Sequence, residues 1–546
     1  MSSATVAPEY GFLSRERIVA QPAFNRWLVP PAALAIHLCI GMAYGFSVFW
    51  IPLSKAIGIT QSVACPADMG FIGQMFTTTC DWKIKYLGWT YTLFFVFLGL
   101  AAALWGGWLE RAGPRKAGVV SAICWCGGLV ISTIGVSTHQ LWMLWLGSGV
   151  IGGIGLGLGY ISPVSTLIKW FPDRRGMATG MAIMGFGGGA MIGSPLADRL
   201  MKFYATPDSI GVWQTFLTLA IIYFVFMICG ALGYRVPREG WKPAGWTPPP
   251  ETARHGLITS HNVDLHTAWR TKQFWLLWAV LCLNVSAGIG VIGMASPLLQ
   301  EVFGGTLIGL NLTYSQLAPD QIKLVETIGA AFAGLLSLFN IAGRIFWASL
   351  SDRIGRKVTY AVFFVLGFML YASVPAMATL GSLALFAIFL CIIVSMYGGG
   401  FATVPAYLAD LFGTKMVGAI HGRLLTAWSV AGVLGPVIVN YIRDFQIDSG
   451  VPRTQAYNVI MYILAALLVL GFICNALIRP VDPKHHLKTD DAEAAAITKS
   501  AASMTPSAPA PVALTPAVAM AWLAVWIPIG WGVWATLAKA SVLFRH

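Results

Sequence analysis

One arginine stands alone inside an apolar run. Arg344 lies between Gly343 and Ile345, and no acidic residue sits within one helical turn of it; Asn340, four residues before, is neutral. A guanidinium at the centre of a membrane helix costs roughly 2.5–3.5 kcal/mol and requires an internal partner. Without a carboxylate in its own helix, it is suited to grip an anion through two N–H groups at once. Asn340 shares its face and could add a hydrogen bond. The alternative is a structural arginine that caps carbonyls or pairs with Asp352.

Other residues carry weaker signals. His37 and Tyr44 fall on one helical face of an apolar run. An imidazole titrates near neutrality, so His37 is a proton-coupling candidate, against the alternative of a satisfied interface histidine. His421 and Arg423 stand near the start of a later run and read as gate or interface residues. Of nine cysteines, only Cys65 and Cys80 lie in a polar loop. They could pair if that loop faces an oxidising compartment, or remain two free thiols. No CxxC pair and no Cys/His cluster has zinc spacing, so no metal or cofactor is expected. No nucleophile–base constellation appears within the apolar runs, which argues against an enzyme. The glycine runs 153–159 and 185–193 follow no strand, so their likeness to a dinucleotide motif is empty. In membrane helices such small residues permit close backbone approach.

The elements that must position these residues follow from composition. The chain has 546 residues, 57% of them hydrophobic and 10% charged, against about 25% charged in ordinary soluble proteins. An all-α polytopic membrane protein fits. A span needs about 20 mostly apolar residues. Twelve runs qualify: 27–53, 86–108, 117–137, 141–164, 177–199, 212–234, 273–299, 325–350, 357–377, 382–408, 417–442 and 455–478. A thirteenth, 517–538, follows a linker rich in Ala, Pro and Ser and reads as a further span, or as an interfacial helix. Lys and Arg are about three times more frequent in one set of alternate loops, which places those loops and the N-terminus in the cytoplasm. The net charge of +13 is therefore mostly a topology signal, not a nucleic-acid footprint. The first 26 residues hold no apolar signal-peptide core.

The chain also repeats itself. Glu110 in GGWLERAGPRK and Asp352 in ASLSDRIGRK stand 242 residues apart, as do Pro163 and Pro405. Pro195 and Pro436 differ by 241. The expected organisation is a cytoplasmic N-terminus (1–26), a six-helix half (27–234), a cytoplasmic central loop (235–272), a second six-helix half (273–478), a linker (479–515) and an extra hydrophobic segment (516–546). Two halves in the same orientation describe a parallel-repeat transporter fold. Each repeated loop is a tight turn. Its carboxylate can meet a helix N-terminus or a neighbouring arginine and so latch a gate. That makes Glu110, Arg111, Arg115, Asp352, Arg353 and Arg356 gating candidates. The alternative is a positive loop that only sets topology.

These loops resemble the signature of the major facilitator superfamily. The second copy, Ser351-Asp352-Arg353-Ile354-Gly355-Arg356-Lys357, is close to its consensus; the first departs from it at Glu110 and Pro114. HLCIGMAYGFSVFWIPL (37–53), IKWFPDRRGMATG (168–180) and FNIAGRIFWASLSDRIGRK (339–357) resemble the oxalate–formate antiporter family, a relative of the monocarboxylate transporters. The resemblance covers about 27–478. It implies that Arg344 binds the substrate carboxylate, and that Tyr44, Tyr160, Tyr397 and Trp428 line the cavity. It also implies a lysine in the eleventh helix, where this chain has Trp428. One central cation suits a monoanion better than the oxalate dianion. The expected function is a secondary active transporter of a small carboxylate such as formate, oxalate or lactate, in a bacterial inner membrane, working by antiport or proton symport. Its partners would be the carboxylate, the lipid bilayer, and protons or a counter-anion. The alternatives are a sensor or assembly subunit on a transporter fold, or a carrier of an unrelated organic solute.

Overall fold

The computed structural model describes residues 11–59, 62–66, 68–247, 257–259, 261–487 and 515–540. Most of the expected linker and parts of both termini and of the central loop lie outside them. Among the described residues thirteen helices are long and apolar enough to cross a membrane. In the first half these are α1 (Arg26–Leu53), α2 (Tyr86–Ala112), α3 (Pro114–Ser137), α4 (Leu141–Trp170), α5 (Arg175–Tyr204) and α6 (Val212–Gly233). The second half holds α7 (Lys272–Ile308), α8 (Pro319–Ile354), α9 (Arg356–Thr379), α10 (Leu383–Phe412), α11 (Val417–Asp448) and α12 (Asn458–Leu477). Last comes α13 (Pro516–Ala538). The helices are longer than the apolar runs where polar residues extend them. The start of α8 is an example: Pro319 opens the first turn and the Gln321 side chain accepts the Ala318 N–H at 3.0 Å. Pro163, Pro195, Pro405 and Pro436 all lie inside helices.

The two acidic loops are turns of one geometry. α2 ends at Gly113 with φ +87° and α8 ends at Gly355 with φ +85°. Both require glycine, because a Cβ disfavours that region. The next helix begins at once, so each carboxylate sits one turn from the end of a long rigid rod.

The halves meet where α5 packs on α8 and α10, and where α2 packs on α11. Glycines set the distance. A Cβ on Gly180 would lie 2.7 Å from the carbonyl oxygen of Arg344, and one on Gly422 would lie 2.1 Å from that of Ala102. Small residues at these crossings bring backbones together.

α13 lies along the seam between the halves. Its Val525 and Ile529 pack with Leu34 and Ala35 of α1, Met184 and Met191 of α5, and Ile341 of α8. Trp522 Nε1 donates to the Trp27 carbonyl at 3.1 Å, and the Arg199 guanidinium sits 5.1 Å from the Trp531 ring. Those two contacts lie at opposite ends of α1 and α5. The helix therefore packs along α1, α5 and α8.

Candidate substrate site and gate

Arg344 is held at the seam by neutral groups. Its Nε donates to Asn340 Oδ1 at 3.1 Å and its Nη1 to the Ile183 carbonyl of α5 at 2.8 Å. The guanidinium carbon stands 5.9 Å from the centre of the Phe401 ring. The side chain is 1% exposed and Nη2 has no hydrogen-bond partner. It forms no ion pair with any carboxylate among the described residues, so the pairing with Asp352 is not made. Gly187 leaves it room: a Cβ there would come within 2.9 Å of Arg344 Nε. A buried cation without a counter-charge is strongly unfavourable.

The aromatic side chains close around it. Trp428 is 1% exposed, and its ring lies 4.5 Å from Phe401, 5.4 Å from Tyr160 and 5.5 Å from Phe186. Above them Tyr44 of α1 and Tyr397 of α10 bring their hydroxyls to 3.4 Å across the two halves. Trp428 Nε1 and the Tyr160 hydroxyl have no partner. Buried donors are nearly always satisfied. Here donors on Arg344, Tyr160 and Trp428 are all unsatisfied, and the Tyr160 and Trp428 rings are in contact.

His37, the proton-coupling candidate, lies between two carbonyls. Its Nδ1 lies 2.5 Å from the Ala182 carbonyl and its Nε2 3.1 Å from the Tyr160 carbonyl. Both ring nitrogens of this α1 residue face carbonyl oxygens, of α5 and α4, and a neutral imidazole donates to one of them. His421, read from the sequence as a gate or interface residue, stands one turn into α11. It is buried, its ring lies 6.0 Å from Tyr160, and neither nitrogen has a partner.

The repeated carboxylates form a double latch at one end of the bundle. Glu110 accepts the Gly418 N–H at the start of α11 at 2.9 Å, the Ser165 hydroxyl at 2.8 Å and the Lys169 ammonium at 2.5 Å. Asp352 accepts the Gly176 and Met177 N–H groups at the start of α5, both at 2.8 Å, and pairs with Arg356 at 2.6 Å. Each carboxylate thus caps the first helical turn of the opposite half, where free N–H groups and the helix dipole favour negative charge. Asp410 adds a third link, pairing with Arg175 at 3.0 Å and Arg356 at 3.2 Å. Thr179 closes the seam by donating to the Ala402 carbonyl at 2.6 Å.

Not every gating candidate is at this latch. Arg111 and Arg353 are exposed. Arg115 is buried inside the first half, donating to the Phe12 and Leu232 carbonyls at 3.1 and 3.2 Å. Lys169, Arg175 and Asp410, none of them a gating candidate from the sequence, complete this network.

At the other end, Cys65 and Cys80 are joined as a disulfide with Cα atoms 5.0 Å apart. Asp81 gathers the N–H groups of Ile57 and Val63 at 2.7 Å and Gly58 at 3.2 Å. The loop is pinned to the α3–α4 turn, where His139 stacks on Trp82 at 4.1 Å and meets the Cys80 carbonyl. Burial there holds the His139 imidazole below its ordinary pKa.

The family model described as Major Facilitator Superfamily matches residues 69–436 and, in a second match, 325–544. The chain belongs to the Major Facilitator Superfamily. It is therefore an integral membrane transporter, from a family of carriers and not of enzymes. Among major facilitator proteins, the oxalate:formate antiporter of Oxalobacter formigenes is 25% identical over 414 residues, covering 75% of this chain and 83% of that protein. Monocarboxylate transporter 14 of Mus musculus is 23% identical over 425 residues, covering 69% of this chain and 78% of that one. The solved fucose:proton symporter of E. coli shares the major facilitator fold at a TM-score of 0.55 and 12% identity, over 83% of this chain and 100% of that one.

Proposed function

We propose that this major facilitator protein is a secondary transporter of a small carboxylate, with formate- or lactate-like monoanions preferred over oxalate. Arg344 carries the reading. It is a buried guanidinium with one free N–H edge, no acidic partner, and unsatisfied donors of Tyr160 and Trp428 beside it. A carboxylate has two oxygens in the geometry that a guanidinium fork and one or two further donors complete. The names of the relatives, an oxalate:formate antiporter and a monocarboxylate transporter, support the same substrate class.

Arg344 lies at the seam, donating to Asn340 of its own half and to the Ile183 carbonyl of the other, so the anion would contact both halves at once. Neutralising Arg344 would let α5 and α8 stay close around a loaded site. Release would require the double latch to part on one side, or Tyr44 and Tyr397 to part on the other. We place the latch end and the N-terminus in the cytoplasm of a bacterial inner membrane, because the excess of Lys and Arg lies on that side.

Trp428 is the selectivity residue in this reading. Its large apolar ring fills space next to Tyr160 and brings no second charge. Trp428→Lys should raise oxalate exchange relative to formate exchange in proteoliposomes by roughly tenfold, the equivalent of about 1.4 kcal/mol. An unchanged ratio in a folded variant would remove Trp428 from the site.

A further inference from the structure

α13 meets the rest of the carrier along one stripe. Val518, Val525, Ile529, Gly532 and Thr536 are buried, while Met520, Leu523, Ile527, Trp534 and Leu537 are exposed. The buried set steps by seven, four, three and four residues, which is one face of a helix. That face touches both halves. A Cβ on Gly532 would lie 3.0 Å from the Ile192 side chain and 3.3 Å from the Met191 carbonyl oxygen, both of α5. One turn on, the Thr536 methyl lies 3.2 Å from where a Cβ on Gly334 of α8 would stand. A helix whose single face touches two others within one turn lies in the groove between them.

This groove is remote from the latch. Near the latch α5 meets α8 directly: a Cβ on Gly176 would come within 2.1 Å of the Ala348 carbonyl oxygen, and those on Gly180 and Gly187 within 2.7 and 2.9 Å of Arg344. α5 starts at the latch with Arg175, and α8 ends there with Ile354. At 1.5 Å per residue, Met191 and Gly334 stand roughly 24 and 30 Å from those ends. There α13 fills the space between the two helices.

A rocking carrier parts its halves at one end and brings them together at the other. Parting the latch therefore requires α5 and α8 to approach each other at the far end, where α13 lies. A packed interior resists such compression, because added volume forces side chains off their rotamers and shifts backbone.

We propose that α13 is an inhibitory wedge: seated in this groove it holds the carrier latched, and the carrier unlatches only when α13 has left. The proposal rests on the reading of the two acidic loops as a latch, and not on the identity of the substrate. The wedge is releasable. Its exposed face is apolar, and in lipid an apolar helix is held by packing and polar contacts rather than by a hydrophobic drive. The polar contacts are the Trp522 bond to the Trp27 carbonyl and the Arg199 guanidinium on Trp531.

The test uses the full chain with Ala402→Cys, after replacement of the native free cysteines. Ala402 is buried at the latch seam. Gly532→Leu puts a side chain where Ile192 and the Met191 carbonyl stand, so α13 cannot seat. Maleimide labelling should rise roughly tenfold, as a shift of the latched population. Glu110→Gln with Asp352→Asn, which loosens the latch directly, is the reference. A rise in the reference without one in Gly532→Leu overturns the wedge alone. No rise in either overturns latch and wedge together. A second variant covers a Gly532→Leu chain that does not fold. Gly334→Cys with Thr536→Cys, oxidised to a disulfide before labelling, fixes α13 in the groove. Added to the reference, it should return labelling to the parent rate, and reduction should restore the rise. Labelling of the cross-linked reference as fast as that of the reference itself overturns the proposal.

Discussion

Arg344→Ala is expected to lower carboxylate exchange by at least about 30-fold in a protein that still folds and inserts. Truncating one side of a buried, hydrogen-bonded charge pair typically removes 2–5 kcal/mol of binding, or roughly 30- to several thousand-fold. Here the pair is Arg344 and the bound anion. The lost contacts inside the protein are to Asn340 Oδ1 and the Ile183 carbonyl, both neutral. Removing an uncompensated cation also relieves an insertion cost, so the thermal midpoint of the unloaded protein should not fall. Arg344→Lys should fall between wild type and alanine, because an ammonium keeps the charge but loses the planar fork. Full exchange by Arg344→Ala, measured with labelled formate, would end the binding role. A variant that loses exchange only because it loses stability would show that Arg344 is structural.

The second large effect is on the latch. Glu110→Gln with Asp352→Asn removes both charged helix caps while keeping shape. A charge at a helix N-terminus is worth about 0.3–1 kcal/mol, and up to about 2 kcal/mol when partly buried. Two such losses, with Lys169 and Arg356 left short of a partner, should shift the ratio of latched to unlatched protein by roughly 30-fold or more. The readout is maleimide labelling of a cysteine at Ala402, which is buried at the seam and accepts from Thr179. Native free cysteines would be replaced first. Labelling should rise in the double variant and stay low in the parent. Each single variant should give a smaller rise, because the other carboxylate still caps its helix. Labelling that does not change would mean that the carboxylates only shape their loops.

Much of this was open to reading from the chain. Spans announce themselves because a backbone in lipid must bond to itself as helix and cover about 20 residues with apolar side chains. Arg344 is conspicuous for the same reason, since a lone charge there is costly and needs a purpose. The acidic loops recur at a spacing of 242, and the structure gives each the same task on the opposite half. Their targets recur at that spacing too. Gly176 and Gly180 open α5 as Gly418 and Gly422 open α11, and both pairs permit the close crossings seen between the halves.

Other features were hidden for physical reasons. Loop position does not say toward which half a long side chain turns, so Arg115 read as a gate residue although it holds the N-terminal segment and the end of α6. Asp410 sits near a helix end, where charged residues are ordinary, and only tertiary packing brings Arg175 and Arg356 to it. Linear counting put His421 at the edge of its span. The neighbouring α4 instead covers it with Tyr160, inside the protein. That His37 faces the Ala182 and Tyr160 carbonyls is likewise set by tertiary packing.

The central claim is that a carboxylate sits on Arg344 at the seam of the two halves. The most direct measurement is exchange of labelled formate, lactate and oxalate by reconstituted wild type and Arg344→Ala at matched protein content. The account predicts saturable exchange of at least one monocarboxylate by wild type, slower exchange of oxalate, and near-background rates for all three in Arg344→Ala. Exchange of none of them by folded wild type, or equal exchange by the two proteins, would contradict it.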